Sequence, residues 1–175
     1  FLVGLTPELS LASGARLLAS SFITVTGTLC PDDLRPEEAQ INALLTGEPD
    51  VILITGGTDD GADDILLALL RRVARALGLI RRGTMPVVLF AGNQTLRAHV
   101  KALFSPYTTV FTARNVRPAL DEEQLIPAQI ELALVYDEFL SLIHISEPTR
   151  LLSISYAVFC SNKKKNNRAT GTQRV

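Results

Sequence analysis

The sequence is poor in the residues from which metal sites, disulfide frameworks and catalytic clusters are usually built. Its 175 residues include two cysteines, two histidines and one methionine. Cys30 and Cys160 have no metal-binding spacing and are too few for a disulfide framework, which favours a reducing, cytoplasmic setting. No apolar stretch approaches the roughly 20 residues that span a bilayer, and no basic leader precedes a cleavable apolar core. The sequence therefore predicts a cytoplasmic protein that does not enter a membrane.

Motifs for common nucleotide and cofactor chemistry are missing as well. The sequence has no Gly-Lys-Ser/Thr of a P-loop, no Gly-x-Gly-x-x-Gly, and no Asp-x-His-x-x-Gly of a cobalamin-binding domain. His99 has no serine, cysteine or carboxylate motif beside it, and Cys30 has no evident activating base. We interpret both as surface or packing residues. The sequence thus predicts no catalytic residue and no metal site.

What is present centres on an apolar run at residues 51–54 and the glycines that follow it. The run is unbroken and rich in β-branched residues, which is typical of a strand covered on both faces. Gly56 and Gly57 end it, since glycine tolerates backbone angles that other residues resist. A helical pattern begins near residue 62, so strand, turn and helix form half of a βαβ unit.

Strand and helix patterns alternate along the whole of residues 1–139. The first helix is announced by Thr6-Pro7-Glu8, with threonine as its cap and proline in the first turn. This alternation predicts one α/β domain with a Rossmann-like, three-layer αβα fold and a mainly parallel sheet of about five strands. We expect residues 51–54 in the centre of the sheet, with helices on both faces. The predicted strands cover residues 1–5, 22–28, 51–54, 86–90 and 108–112. The helix after the glycine turn has a predicted apolar stripe of Ile65, Leu66, Leu69, Leu70, Val73 and Leu77.

Two glycine turns follow the predicted strands at 51–54 and 86–90. In open parallel sheets, ligands usually bind at the carboxyl ends of the strands, where such turns meet. The backbone amides of the first turn could face an anion. In the alternative interpretation, the aspartates after the first turn cap the next helix and Asn93 caps another. The predicted cofactor-binding residues are Gly56, Gly57, Thr58, Asp59, Gly61, Gly92 and Asn93.

Four stretches together carry a family resemblance, and they lie at residues 3–9, 50–61, 86–93 and 115–118. Their order and spacing resemble the MutL family that accompanies coenzyme-B12-dependent glutamate mutase, which is distinct from the mismatch-repair protein of that name. The resemblance implies an actin-like ATPase that protects or reactivates the mutase, with a mutase subunit as partner. It implies neither a nucleic acid nor a membrane as partner.

The sequence departs from the family pattern at two points. Asp60 stands where the family usually has glycine, and the phosphate motifs of the Asp-x-Gly-Ser-Thr type do not occur. The resemblance therefore implies a fragment of a larger parent, with ATP and Mg²⁺ bound by the parent elsewhere and no cofactor bound by this piece. Whether the piece is an enzyme stays open. The alternative function is a small-molecule- or nucleotide-binding Rossmann-like domain of an enzyme.

Residues 140–175 have a different character from the rest of the chain. Back-translation of residues 140–150 and 154–160 resembles the two ends of a transposase-type sequencing adapter, and the three codons between them accommodate an index. We therefore expect a non-native tail there, rather than a native helix and strand with a basic end. Without it, residues 1–139 hold 11 lysines and arginines against 17 aspartates and glutamates, a net charge of −6. The lysine run is then no binding patch.

Overall fold

The computed structural model describes residues 1–59, 61, 64–81 and 85–144, with side chains up to residue 138. The chain divides into two units, residues 1–138 and 139–175, and the sheet lies in the first. Its strands are β1 (Leu2–Gly4), β2 (Thr28–Leu29), β3 (Val51–Thr55), β4 (Val87–Phe90) and β5 (Val110–Thr112). The helices are α1 (Ala12–Ser20), α2 (Glu37–Thr46), α3 (Asp64–Leu79), α4 (Arg97–Phe104) and α5 (Ile126–His144).

The five strands form one parallel sheet in the order β2-β1-β3-β4-β5. Strand β3 lies in the centre, and Ile52, Leu53 and Ile54 are completely buried. Helices flank the sheet, so the predicted α/β fold is confirmed. Each connection between successive strands contains a helix, the usual crossover between parallel strands.

Two apolar clusters cover the two faces of the sheet. Successive side chains of a strand point to opposite faces, so Ile52 and Ile54 pack in one cluster and Leu53 in the other. The first cluster includes buried residues of α2, α3 and α4. The second includes buried residues of α1 and α5. Burial on both faces is the reason that residues 51–54 show no polar alternation.

The predicted strand at 22–28 is wrong over most of its length. Strand β2 contains only Thr28 and Leu29 and pairs only with β1. Phe22 is 98% exposed and has a φ of 56°, outside the strand region. Because β1 is itself only three residues long, an edge strand beside it finds few ladder partners, and β-branched composition alone does not extend the pairing.

The predicted stripe of α3 is correct except at its first position. Leu66, Leu69, Leu70, Val73 and Leu77 are buried, whereas Ile65 is 57% exposed. Ile65 lies in the first turn of the helix and forms part of a cleft wall beside the glycine turn. Helical spacing places it on the stripe, but spacing does not report where the covering layer ends.

Helix starts follow the predicted capping residues. Thr6 accepts a hydrogen bond from the backbone N–H of Ser10 at 3.4 Å and precedes a π-helical turn, Pro7–Leu11, that leads into α1. Asn93 accepts one from the backbone N–H of Thr95 at 2.9 Å and precedes a 3₁₀ turn before α4. Within the described residues, no helix combines the length and apolarity needed to cross a bilayer.

Candidate functional site

The strand order places a topological switch point between β1 and β3. From β1 the chain moves outward to β2, and then returns past β1 to start the other half of the sheet at β3. Connections leaving β1 and β3 therefore diverge to opposite faces and leave a crevice beyond the carboxyl ends of the two strands. Ligands of doubly wound α/β proteins bind in this crevice.

A cleft of about 210 Å³ occupies this position. Its walls come from the connection after β1, the glycine turn after β3, the start of α3 and the loop after β5. Four of the seven predicted site residues line it, all from the glycine turn. The lining residues are Leu5, Thr6, Leu9, Ser10, Gly56, Gly57, Thr58, Gly61, Ile65, Arg117 and Leu120.

Gly56 and Gly57 have backbone conformations that explain their residue type without a ligand. Their φ angles are +125° and +74°, a region that side chains with a Cβ rarely adopt. A Cβ at Gly56 would lie 2.8 Å from Cβ of Leu5, and one at Gly57 would lie 3.2 Å from Cβ of Asn93. The two glycines are thus required by the turn itself, while they also form the floor of the cleft.

Gly92 and Asn93 lie beside this turn but do not line the cleft. Both are buried, and a Cβ at Gly92 would lie 2.5 Å from the carbonyl oxygen of Gly56. The backbone N–H of Asn93 donates to that same oxygen at 3.1 Å, and its side-chain oxygen accepts from Thr95. The two predicted glycine turns therefore pack against each other, and Asn93 has the capping contacts of the alternative interpretation.

The carboxylate of Asp59 accepts hydrogen bonds from two other segments of the chain. It accepts hydrogen bonds from the backbone N–H and side-chain amide of Gln94, at 3.1 and 2.7 Å, and from the side-chain amide of Asn115 at 2.8 Å. Desolvation favours the neutral carboxyl, but these hydrogen bonds and the charge of Arg97 outweigh it and lower the pKa of Asp59. Asp59 thus connects the glycine turn to the 3₁₀ turn that precedes α4.

Asn115 is the residue of this region that the sequence analysis did not single out as a site residue. Its side chain is buried and donates to the carbonyl of Gly57 and to Asp59, both at 2.8 Å. Its side-chain oxygen accepts from the backbone N–H of Arg117 at 3.1 Å. The only available signal was its place after the carboxyl end of a predicted strand, within the fourth family-like stretch.

Arg117 forms part of the cleft wall and is already engaged. Its guanidinium donates to the carbonyl of Leu120 at 2.5 Å and to the hydroxyl of Ser13 at 3.4 Å, and lies 3.7 Å from Glu123. Glu123 also accepts from Arg16 and Ser13, and the bond from Arg16, followed by that from Ser13, lowers its pKa. Arg117 therefore contributes little unpaired positive charge to the cleft.

The surroundings of the cleft are acidic. Carboxylates at Glu8, Asp64, Asp121 and Glu122 are exposed and adjoin lining residues in the chain. A phosphate group would meet these carboxylates without a compensating free cation among the lining residues. Within the described part of the chain, no group of three histidine, cysteine, aspartate or glutamate residues could hold a metal ion. His99 is exposed and Cys30 is half-buried and free, and neither lines the cleft.

Comparison with known proteins connects this region to one family. A family model described as MutL protein matches residues 1–147. No curated protein and no solved structure matches the chain. The matched range contains the stretches 3–9, 50–61, 86–93 and 115–118, and all four contribute to the carboxyl edge of the sheet around the cleft. The match runs past the predicted boundary at residue 139, and that boundary stays a prediction.

Proposed function

The chain belongs to the MutL family, which is associated with glutamate mutase, and we propose that it is the partner-facing α/β part of an ATP-dependent reactivating factor for that coenzyme-B12-dependent enzyme. The match over residues 1–147 is the observation that carries this proposal. In this view the phosphate-binding motifs and the hydrolysis of ATP belong to other parts of the parent, and residues 1–139 supply a surface for the mutase subunit.

The arrangement at the carboxyl edge of the sheet supports the proposal that this part binds the partner and that other parts of the parent bind and hydrolyse ATP. The four family-like stretches are distant in the chain, yet three of them are joined by hydrogen bonds, from Asn93 to Gly56 and from Asn115 to Gly57 and Asp59. Hydrolysis of ATP requires groups that position the γ-phosphate, Mg²⁺ and the attacking water together. Among the described lining residues of the cleft, the one cation is Arg117, and its guanidinium is already engaged by Leu120 and Glu123, which supports placing those groups elsewhere in the parent.

One observation favours the rival function, a nucleotide- or small-molecule-binding domain of an enzyme. The cleft lies at the switch point of the sheet and is lined by Gly56 and Gly57, which is where dinucleotides and flavins bind in doubly wound folds. The rival expects the glycine turn to bind a phosphate through its backbone amides.

Isothermal titration calorimetry with Mg-ATP separates the two functions. We expect no micromolar affinity of the full chain for ATP and no hydrolysis. Micromolar affinity that is lost in Gly57→Val would overturn the proposal, because a valine side chain would fill the floor of the cleft. The exposed α3 variant Leu79→Val is the matched control, and circular dichroism must first show that both variants fold.

Binding to the mutase tests the other half of the proposal. Purified coenzyme-B12-dependent glutamate mutase is passed over the immobilised full chain in a surface plasmon resonance experiment. We expect saturable binding that does not require ATP, since this part contributes the docking surface alone. Absence of binding at mutase concentrations of roughly 100 µM would contradict the proposed function, because such an affinity would be weaker than that of typical specific transient complexes.

A further inference from the structure

The mouth of the switch-point cleft is apolar. Leu120 is 70% exposed and Ile65 is 57% exposed, while Leu5 and Leu9 form half-buried walls. Single exposed apolar side chains are ordinary on a protein surface, but several around one concavity mark a binding site. A group that enters the cleft would remove these side chains from water and gain the corresponding hydrophobic free energy.

Four exposed carboxylates adjoin lining residues of the same cleft in the chain. Glu8 lies in the turn that supplies Thr6, Leu9 and Ser10, while Asp64 precedes Ile65, and Asp121 and Glu122 follow Leu120. All four carboxylates are exposed. The guanidinium of Arg117, the one cation among the lining residues, is held by Leu120 and lies beside Glu123. An apolar group bearing a negative charge would therefore be repelled, and one flanked by positive charge would be attracted.

We propose that this cleft docks an apolar side chain of a partner protein segment in which lysine or arginine residues flank that side chain. The proposal rests on the proposed function, in which this part of the chain faces the mutase subunit. A volume of about 210 Å³ lies below the range of about 300–1,000 Å³ usual for small-molecule sites. It suits one branched or aromatic side chain, with the flanking cations attracted by the carboxylates that adjoin the lining residues in the chain.

Three short peptides test the chemistry of recognition. The first has two leucines flanked on each side by two lysines, the second has glutamates in place of the lysines, and the third has serines in place of the leucines. Each is titrated into the full chain while methyl NMR shifts of leucine and isoleucine are followed. We expect the first peptide alone to shift the methyls of Leu5, Leu9, Ile65 and Leu120, with binding that weakens as salt is raised.

A matched pair of variants on one helix locates the site. Ile65→Lys places a positive charge at the mouth of the cleft, whereas Leu79→Lys makes the same change at the far end of α3, on an equally exposed residue. Affinity for the basic peptide should fall about tenfold or more in Ile65→Lys, since the added charge repels the flanking lysines. Affinity should stay within about twofold of the wild type in Leu79→Lys, which does not line the cleft.

Several outcomes would overturn the docking proposal. They are equal binding of the acidic peptide, unchanged affinity in Ile65→Lys, absence of shifts at millimolar peptide, or shifts of the same methyls by inorganic phosphate. The proposed function fails separately, by absence of mutase binding to the immobilised chain. If the mutase binds but the basic peptide does not displace it, the docking proposal is wrong and the proposed function is retained.

Discussion

Asn115 joins the loop after β5 to the turn after β3 through one buried side chain. It donates to the carbonyl of Gly57 and to Asp59 after β3, and it accepts from Arg117 in its own loop. An amide side chain is well suited to this position because it carries donors and an acceptor at once. Aspartate would offer no donor to the Gly57 carbonyl, and leucine would remove all three hydrogen bonds. At the scale of single residues, the cleft is therefore shaped by hydrogen bonds that cross the sheet edge.

Replacement of Asn115 by alanine should destabilise the protein by about 1–3 kcal/mol, because buried partners lose their hydrogen bonds. Urea denaturation followed by circular dichroism measures the change. Asn42→Ala on the exposed face of α2 is the matched control and should stay within about 0.5 kcal/mol. Equal effects of the two substitutions would show that the Asn115 contacts contribute nothing to stability.

The carboxylate of Asp59 gives stability a dependence on pH. Its pKa is lower in the folded protein than in the unfolded chain, so the unfolded state binds the proton more readily. The contribution is fully present above the unfolded value of about 3.9 and is lost as pH falls through the lowered folded value. The difference in unfolding free energy between wild type and Asp59→Asn should therefore be larger at neutral pH than in strong acid. A difference that does not change with pH would refute this account.

At the scale of elements, α3 presents two very different faces to its surroundings. One face carries Leu66, Leu69, Leu70, Val73 and Leu77 into the first core cluster. The other carries Arg72 and Arg75, which pair with Glu37 of α2 at 3.8 and 2.7 Å. Such exposed ion pairs are worth about 1 kcal/mol or less. The helix is therefore held on the sheet by its apolar face.

Substitution of two leucines of α3 compares the contributions of its buried and exposed faces to stability. Leu70 is completely buried, whereas Leu79 is 51% exposed. Leu70→Ala should cost about 2–5 kcal/mol, from lost transfer free energy and the cavity left behind. Leu79→Ala should cost about 1 kcal/mol or less. Thermal or urea unfolding compares the two, and costs of similar size would contradict the packing of α3 described above.

At the scale of the whole molecule, the five described strands of the parallel sheet all lie in residues 1–138. Every strand pair of the sheet lies within that unit. The adapter interpretation of residues 140–175 falls mostly on residues outside the described part of the chain, so it stays a prediction. The family match ends at residue 147. It therefore raises the question of whether the native chain ends at residue 139 or at residue 147.

Deletion of residues 140–175 should leave the melting temperature unchanged or raise it, because we expect no native packing from an adapter-derived tail. Differential scanning calorimetry on the full chain, a chain ending at 139 and a chain ending at 147 makes the test. If the chain ending at 147 is clearly more stable than the one ending at 139, residues 140–147 are native and the predicted boundary lies too early. A large loss of stability in both would refute the tail interpretation altogether.

The sequence by itself determined the parallel α/β architecture, the central place of residues 51–54 and the positions of the capping residues Thr6 and Asn93. These follow from local patterns, since burial on both faces, helical periodicity and cap chemistry act over a few neighbouring residues. The extent of β2 could not be predicted from the sequence. The length of a strand depends on how far its partner, here β1, can pair with it, and β-branched composition does not report that.

Only the tertiary structure decided which residues surround the cleft. Two glycine turns at neighbouring strand ends predicted a shared crevice, but strand order, which no local pattern specifies, moved the crevice to the β1–β3 side. Gly92 and Asn93 thereby became packing partners of Gly56, while Leu5, Leu9 and Arg117 became cleft walls. The same long-range packing brought Asp59 into hydrogen bonds with Gln94 and Asn115. Such contacts join residues up to 58 positions apart, beyond the reach of any pattern in the local sequence.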